Sequence, residues 1–187
     1  ELDKPYAEGL AHYVEHLAWL NVTQSENFKA LRHLNAGTNL TSTTYVTHSS
    51  ETWLTKELQR LIEVNAPFTL AERFMLEERD IILREYEANV GENPYFEIEQ
   101  NINKALYPSS PWARSLLGSP AEIGSFNLSN AKKLHRKSHE LGNAVLIVTG
   151  NISKTTSSGI QNVTRRKPQR YFGHDPAGAR SSLYADL

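Results

Sequence analysis

The run Gly9-Leu10-Ala11-His12-Tyr13-Val14-Glu15-His16-Leu17 decides how the chain is read. Its apolar residues Leu10, Tyr13, Val14 and Leu17 recur at helical spacing, which predicts a buried helix over 9–20. His12 and His16 are four apart, so their imidazoles project from one face of that helix, about 6 Å apart at their Cβ atoms, and can converge on one ion. Glu15 is three residues from His12 and adjacent to His16, where its carboxylate can serve a bound water as a general base. An unpaired carboxylate on a buried helix is costly, so the set reads as a metal site in preference to stray polar residues.

Composition narrows the chemistry further. The 187 residues include no cysteine, which excludes disulfides, thiol nucleophiles and thiolate metal sites and leaves nitrogen and oxygen as ligands. Twenty Lys and Arg against 21 Asp and Glu give a net charge of -1, and no summed field favours nucleic acid or an acidic membrane surface. No apolar run approaches the ~18 residues of a membrane span. Neither nucleic acid nor membrane is expected as a partner.

Working outward, Thr41–His48 is rich in Thr, Tyr and Val and reads as a strand. Glu51–Val64 carries Leu54, Leu58, Leu61 and Ile62 on one stripe, an amphipathic helix with Ser50 placed to cap it. Thr69 and Glu72 form a capping box opening a long helix to about Asn89, before Gly91 and Pro94. Phe96–Leu106 reads as helix, and Ser119, Pro120 and Glu122 as a short capped turn of helix. A stripe from Leu128 to Leu141 ends at Gly142, and Ala144–Thr149 reads as a buried strand. From Thr164 the composition turns to Arg165, Arg166, Lys167 and Pro168, so 1–163 is expected to be the domain and 164–187 a linker or tail. Helices and strands alternate too irregularly for doubly wound units; the expected fold is α+β, with helices on one side of a largely antiparallel sheet. His135 and His139 are also four apart, but Lys132, Lys133, Arg136 and Lys137 surround them, so they read as a solvated basic face.

A zinc site needs a third protein ligand, and the long helix offers Glu72, Glu77, Glu78, Glu85 and Glu87. Glu78 and Glu85 are seven apart and share a face flanked by Ile81 and Ile82, so one can ligate while the other supports. Position alone does not choose between them.

The run from Gly9 to Leu17 resembles the signature of the pitrilysin/insulinase family of zinc metallopeptidases, the inverzincins, whose HxxEH motif inverts the zincin order. Asn35, Ala36, Gly37 and Thr38, followed by Thr44 and Tyr45, resemble that family's NAxT element and the strand after it. Glu78 to Glu85 (ERDIILRE) resembles its distal glutamate segment, and Gly118-Ser119-Pro120 with Val148 to Asn151 resembles the end of its catalytic half. The resemblance implies His12, His16 and Glu85 as zinc ligands, Glu15 as the base, and Glu78 as a supporting carboxylate behind the ligands. It also implies that the backbone at Asn35 and Ala36 pairs with an extended peptide substrate by strand addition. The implied activity is that of a zinc-dependent endopeptidase acting on peptides or unfolded segments, with a non-catalytic structural or assembly subunit of the same fold as the alternative. Only 11 residues precede His12, so the chain is expected to be a fragment, truncated at its N-terminus. It would be one half of a two-half chamber completed by a second homologous half-domain or a partner subunit. The bacterial periplasm is expected as its compartment, ahead of the cytoplasm or mitochondrial matrix.

Overall fold

Leu10, Tyr13, Val14, Leu17 and Ala18 are each at most 2% exposed, and their burial sets where the first helix lies. The structure, a computed structural model, describes residues 6–23, 34–151, 153 and 160, with the backbone of strands at 171–174 and 181–186. Helix α1 (Leu10–Thr23) lays its apolar stripe on Val64, Phe68, Leu70, Met75, Ile82, Ile123, Phe126 and Ala131. Each large side chain buried this way contributes about 2 kcal/mol, so packing holds the helix in place. Tyr13 adds a polar tie: its hydroxyl donates to the Met75 carbonyl at 2.8 Å while its ring stacks on Phe126. Burial pushes that phenol up to about 12, so it remains a donor.

The start of α1 is fixed from a distance in sequence. Gly9 adopts φ +79°, and a Cβ there would strike the Leu117 carbonyl, so only glycine permits this close approach. Beside it, the Glu8 N–H donates to Glu122 Oε1 at 3.2 Å, and Glu8 Oε2 accepts from the Ser115 N–H at 3.0 Å.

Strands β1 (Leu34–Thr38) and β2 (Thr43–Thr47) form an antiparallel hairpin with Leu34 opposite Thr47 and Thr38 opposite Thr43. Asn39 builds the turn, its Oδ1 accepting from the Thr41 N–H, the Thr41 hydroxyl and the Ser42 N–H. Helix α2 (Leu54–Glu63) follows a 3₁₀ turn over Glu51–Trp53. Then come α3 (Glu72–Glu92), α4 (Phe96–Leu106), α5 (Pro120–Ser125) and α6 (Leu128–Ser138). Helix α1 packs against β1, α3 and α6. Strands β3 (Val145–Gly150), β4 (Tyr171–His174) and β5 (Ser181–Asp186) make a second sheet in the order β3-β5-β4. Every described strand pair is antiparallel, and the fold is α+β.

The Ser119–Glu122 capping box forms as expected, but two other caps do not. Ser50 makes no side-chain cap bond. Thr69 does not close a box with Glu72: α3 begins at Glu72 with Ala71 as its N-cap, and the Thr69 N–H and hydroxyl donate to Asn21 Oδ1 on α1, at 2.8 and 3.1 Å. A tertiary partner takes the Thr69 N–H that the box would have directed at Glu72. Strand β3 is not buried throughout: Leu146 is buried, while Val145 and Ile147 on its other face are 60% and 57% exposed. Strands β4 and β5 lie within 164–187, beyond the cluster of Arg165, Arg166, Lys167 and Pro168.

His135 and His139 are the clearest correction. They form no solvated basic face; His135 is 2% exposed, donates from Nε2 to the Val64 carbonyl at 2.8 Å and packs on Phe68. His139 stacks on His135, and its Nε2 accepts the Tyr45 hydroxyl at 2.7 Å. The exposed cations are Lys133, Arg136 and Lys137, which leave the histidines to the interior. Burial, reinforced by the charge of His135, lowers His139 from 6.5 to about 4, and burial also lowers His135 against the opposing pull of the Val64 bond. Since the unfolded chain takes up these protons near pH 6.5 and the folded chain resists, stability is present above pH 6.5 and is lost as pH falls toward 4. Urea unfolding at pH 7 and pH 4.5 is expected to show a smaller loss for His139→Gln than for the parent, and an equal loss would contradict the assignment.

Candidate metal centre

One turn apart on α1, His12 and His16 occupy positions that the core stripe leaves free. Their Nε2 atoms lie 3.2 Å apart, with the rings nearly perpendicular. Helix α3 is fixed against α1 by Ile82, fully buried, and by the Tyr13–Met75 hydrogen bond. It brings Glu85 Oε2 to 3.6 Å from His12 Nε2 and 3.8 Å from His16 Nε2. One ligand atom from each of the three residues therefore lies within 4.8 Å of the others. Two turns earlier on α3, Glu78 Oε2 accepts from His16 Nδ1 at 2.9 Å. That bond keeps the His16 proton on Nδ1 and leaves the Nε2 lone pair facing His12 and Glu85.

The electrostatics differ between the two imidazoles. Burial, with the charge of His16, lowers His12 to about 4, so this imidazole is neutral and its lone pair is available. At His16 burial pulls downward but is outweighed by the Glu78 hydrogen bond and the charges of Glu85, Glu78 and Glu15, and the net shift is upward. His12 Nδ1 is buried without a hydrogen-bond partner among the described residues. Two imidazole nitrogens and one carboxylate oxygen match the donor set of a zinc site with one position left open for water or substrate, so the residues present fit the metal.

Glu15 points at neither the core nor open solvent. It is 5% exposed, and its Oε2 accepts from the Thr38 hydroxyl at 2.6 Å. Burial raises its pKa, the Thr38 bond and the His16 charge pull it down, Glu85 pushes it up, and the net result is a raised, more proton-avid carboxylate. His12, Glu15, His16 and Glu85 line a cavity of about 830 Å³ together with residues 35–38 of β1 and Phe96 and Gln100 of α4. Among the described residues β1 pairs with β2 alone, and the Ala36 N–H is held by Asn35 Oδ1 at 2.9 Å.

The residues singled out from sequence thus meet around one cavity: His12, His16 and Glu85 at the ligand cluster, Glu15 and Glu78 beside it, Asn35 and Ala36 along β1. Sequence reasoning missed the bond from Thr38 to Glu15 and the contribution of α4. Thr38 lies two residues from Ala36 and so shares its face of β1, a period-two signal that could have flagged it. Nothing in the spacing of Phe96 and Gln100 ties them to residues on α1.

The sequence model of the insulinase family of peptidases (peptidase family M16) matches residues 2–120. The chain belongs to that family. The matched segment contains α1, β1, α3 and α4, and with them every cavity residue named above. An uncharacterized zinc protease of Rickettsia bellii is 25% identical across 99% of this chain and 48% of its own length. Zinc protease PqqE of Helicobacter pylori is 25% identical across 94% of the chain and 43% of its own length. The mitochondrial-processing peptidase subunit beta of Saccharomyces cerevisiae is 27% identical across 90% and 36%. This insulinase-family chain spans less than half the length of these curated relatives. No helix among the described residues is long and apolar enough to cross a membrane.

Glu78→Gln preserves shape but removes the charge that orients His16. It is expected to weaken zinc affinity about 10- to 100-fold in competition with a chromogenic chelator. Glu77→Gln, at an exposed neighbouring position, should leave affinity unchanged; equal affinities for the two variants would remove Glu78 from the site.

Proposed function

We propose that this chain carries the metal-binding half of a zinc-dependent endopeptidase that hydrolyses peptides or unfolded segments. The observation that carries the reading is the buried Glu15 carboxylate, set beside the converged His12, His16 and Glu85 in one cavity with β1. His12, His16 and Glu85 would hold zinc, whose Lewis acidity polarises a scissile carbonyl and acidifies water. Glu15 takes the proton of the attacking water and returns it to the departing amine, so the hydroxyl ends on the carbonyl carbon and the hydrogen on nitrogen. No acyl-enzyme is required. Glu78 keeps His16 in the ligating tautomer throughout.

An extended peptide would add to β1 as a further strand, with main-chain hydrogen bonds carrying most of the affinity. Asn35 would then release the Ala36 N–H that its side chain now holds. The names of two relatives, both zinc proteases, support the reaction class. A third is named as a subunit, and the chain spans less than half of each; both facts support a second homologous half or a partner subunit that completes the cavity. A non-catalytic subunit of the same fold would have no use for a base beside a complete ligand set.

The test is Glu15→Gln in the full-length, zinc-loaded protein. Zinc content should stay at the parent level while kcat on an unstructured peptide falls by about 100-fold or more. Loss of the metal would recast Glu15 as a ligand, and unchanged turnover would remove it as the base.

A further inference from the structure

Thr38 closes the β1–β2 hairpin directly opposite Thr43, and the two hydroxyls lie 3.3 Å apart. An ionised carboxylate accepts and cannot donate, so the 2.6 Å contact with Glu15 Oε2 requires Thr38 to donate. Its length is that of a charge-assisted O–H···O⁻ bond. Having committed its proton to Glu15, Thr38 can only accept from Thr43, and the pair becomes a directed relay from Thr43 to Thr38 to Glu15. The turn behind it is held by three bonds to Asn39 Oδ1, so the hydroxyl is delivered by a braced hairpin. Glu15 Oε1, in contrast, has no hydrogen bond among the described residues, yet it is not one of the buried atoms left without a partner. One oxygen of the base is therefore tethered and the other is available.

We infer that Thr38 is a positioning residue, which anchors Glu15 through Oε2 so that Oε1 is presented for proton transfer, and thereby couples the substrate-pairing strand to the base. The inference rests on the peptidase reading of the site. It makes β1 serve two purposes: its Asn35–Ala36 backbone meets the peptide, and two residues further its side chain sets the carboxylate that acts on that peptide. A substrate strand added along β1 would hold Thr38 in register at the moment the base is needed.

The experiment compares Thr38→Val, which keeps shape and loses the donor, with Thr38→Ser, which keeps the donor. Both are made in the full-length, zinc-loaded protein and assayed on an internally quenched unstructured peptide. Thr38→Val is expected to lower kcat about 10- to 100-fold through loss of base alignment, with KM within about twofold and zinc content unchanged. Thr38→Ser should recover most of the rate. In a Glu15→Gln background, Thr38→Val should not reduce the residual rate further, because the group it positions is already disabled. Parental kcat in Thr38→Val, no recovery in Thr38→Ser, or an equal loss in the Glu15→Gln background would each overturn the inference while leaving the peptidase reading standing. A zinc-loaded parent that hydrolyses no peptide would overturn the reading, and the inference with it.

Discussion

The Glu15 carboxylate is 5% exposed, and a buried charge of that kind is destabilising by several kcal/mol unless hydrogen bonds and opposite charge meet it. Much of the surrounding architecture answers that demand. Packing commits one stripe of α1 to the core, so His12, Glu15 and His16 are left together on what remains of its surface. The hairpin supplies the Thr38 hydroxyl, and α3 supplies Glu78 to His16. The balance is still uneven. Glu15, Glu78 and Glu85 bring three carboxylates to two imidazoles, one of which burial holds neutral. A divalent cation at the ligand cluster would supply the missing positive charge, and the two imidazoles and one carboxylate there are donors suited to it.

The helical period made α1 legible, because its apolar stripe and its His/Glu pattern share one repeat of 3.6 residues. The same period placed Glu78 and Glu85 on one face of α3, yet it could not assign their roles. That choice depends on which side of His16 each carboxylate reaches: Glu78 meets Nδ1, and Glu85 faces the Nε2 atoms of both histidines. Where sequence reasoning failed, a distant partner had replaced a near one. Thr69 serves Asn21 and not its own helix. His135 was judged by the lysines next to it along the chain, although the helix turns those outward and His135 toward Val64 and Phe68. The apolar run into β3 suggested burial on both faces, but only the face of Ala144, Leu146 and Val148 is covered, while Val145 and Ile147 are exposed.

Helix α4 carries an apolar face that the described residues leave exposed. Phe96 and Gln100 reach the cavity, while Tyr95, Ile98, Ile102 and Leu106 are each half or more exposed. Ile98, Ile102 and Leu106 are spaced four apart and form a single apolar stripe along the helix. The cavity wall and this uncovered stripe therefore belong to one element, and α4 has no buried residue to anchor it as Ile82 anchors α3.

X-ray absorption at the zinc edge of the full-length protein tests the central claim most directly. The account predicts about one zinc per chain, bound by two imidazoles with oxygen ligands completing the shell. A protein that retains no zinc, or a zinc whose shell contains three or more imidazoles or none, would contradict it.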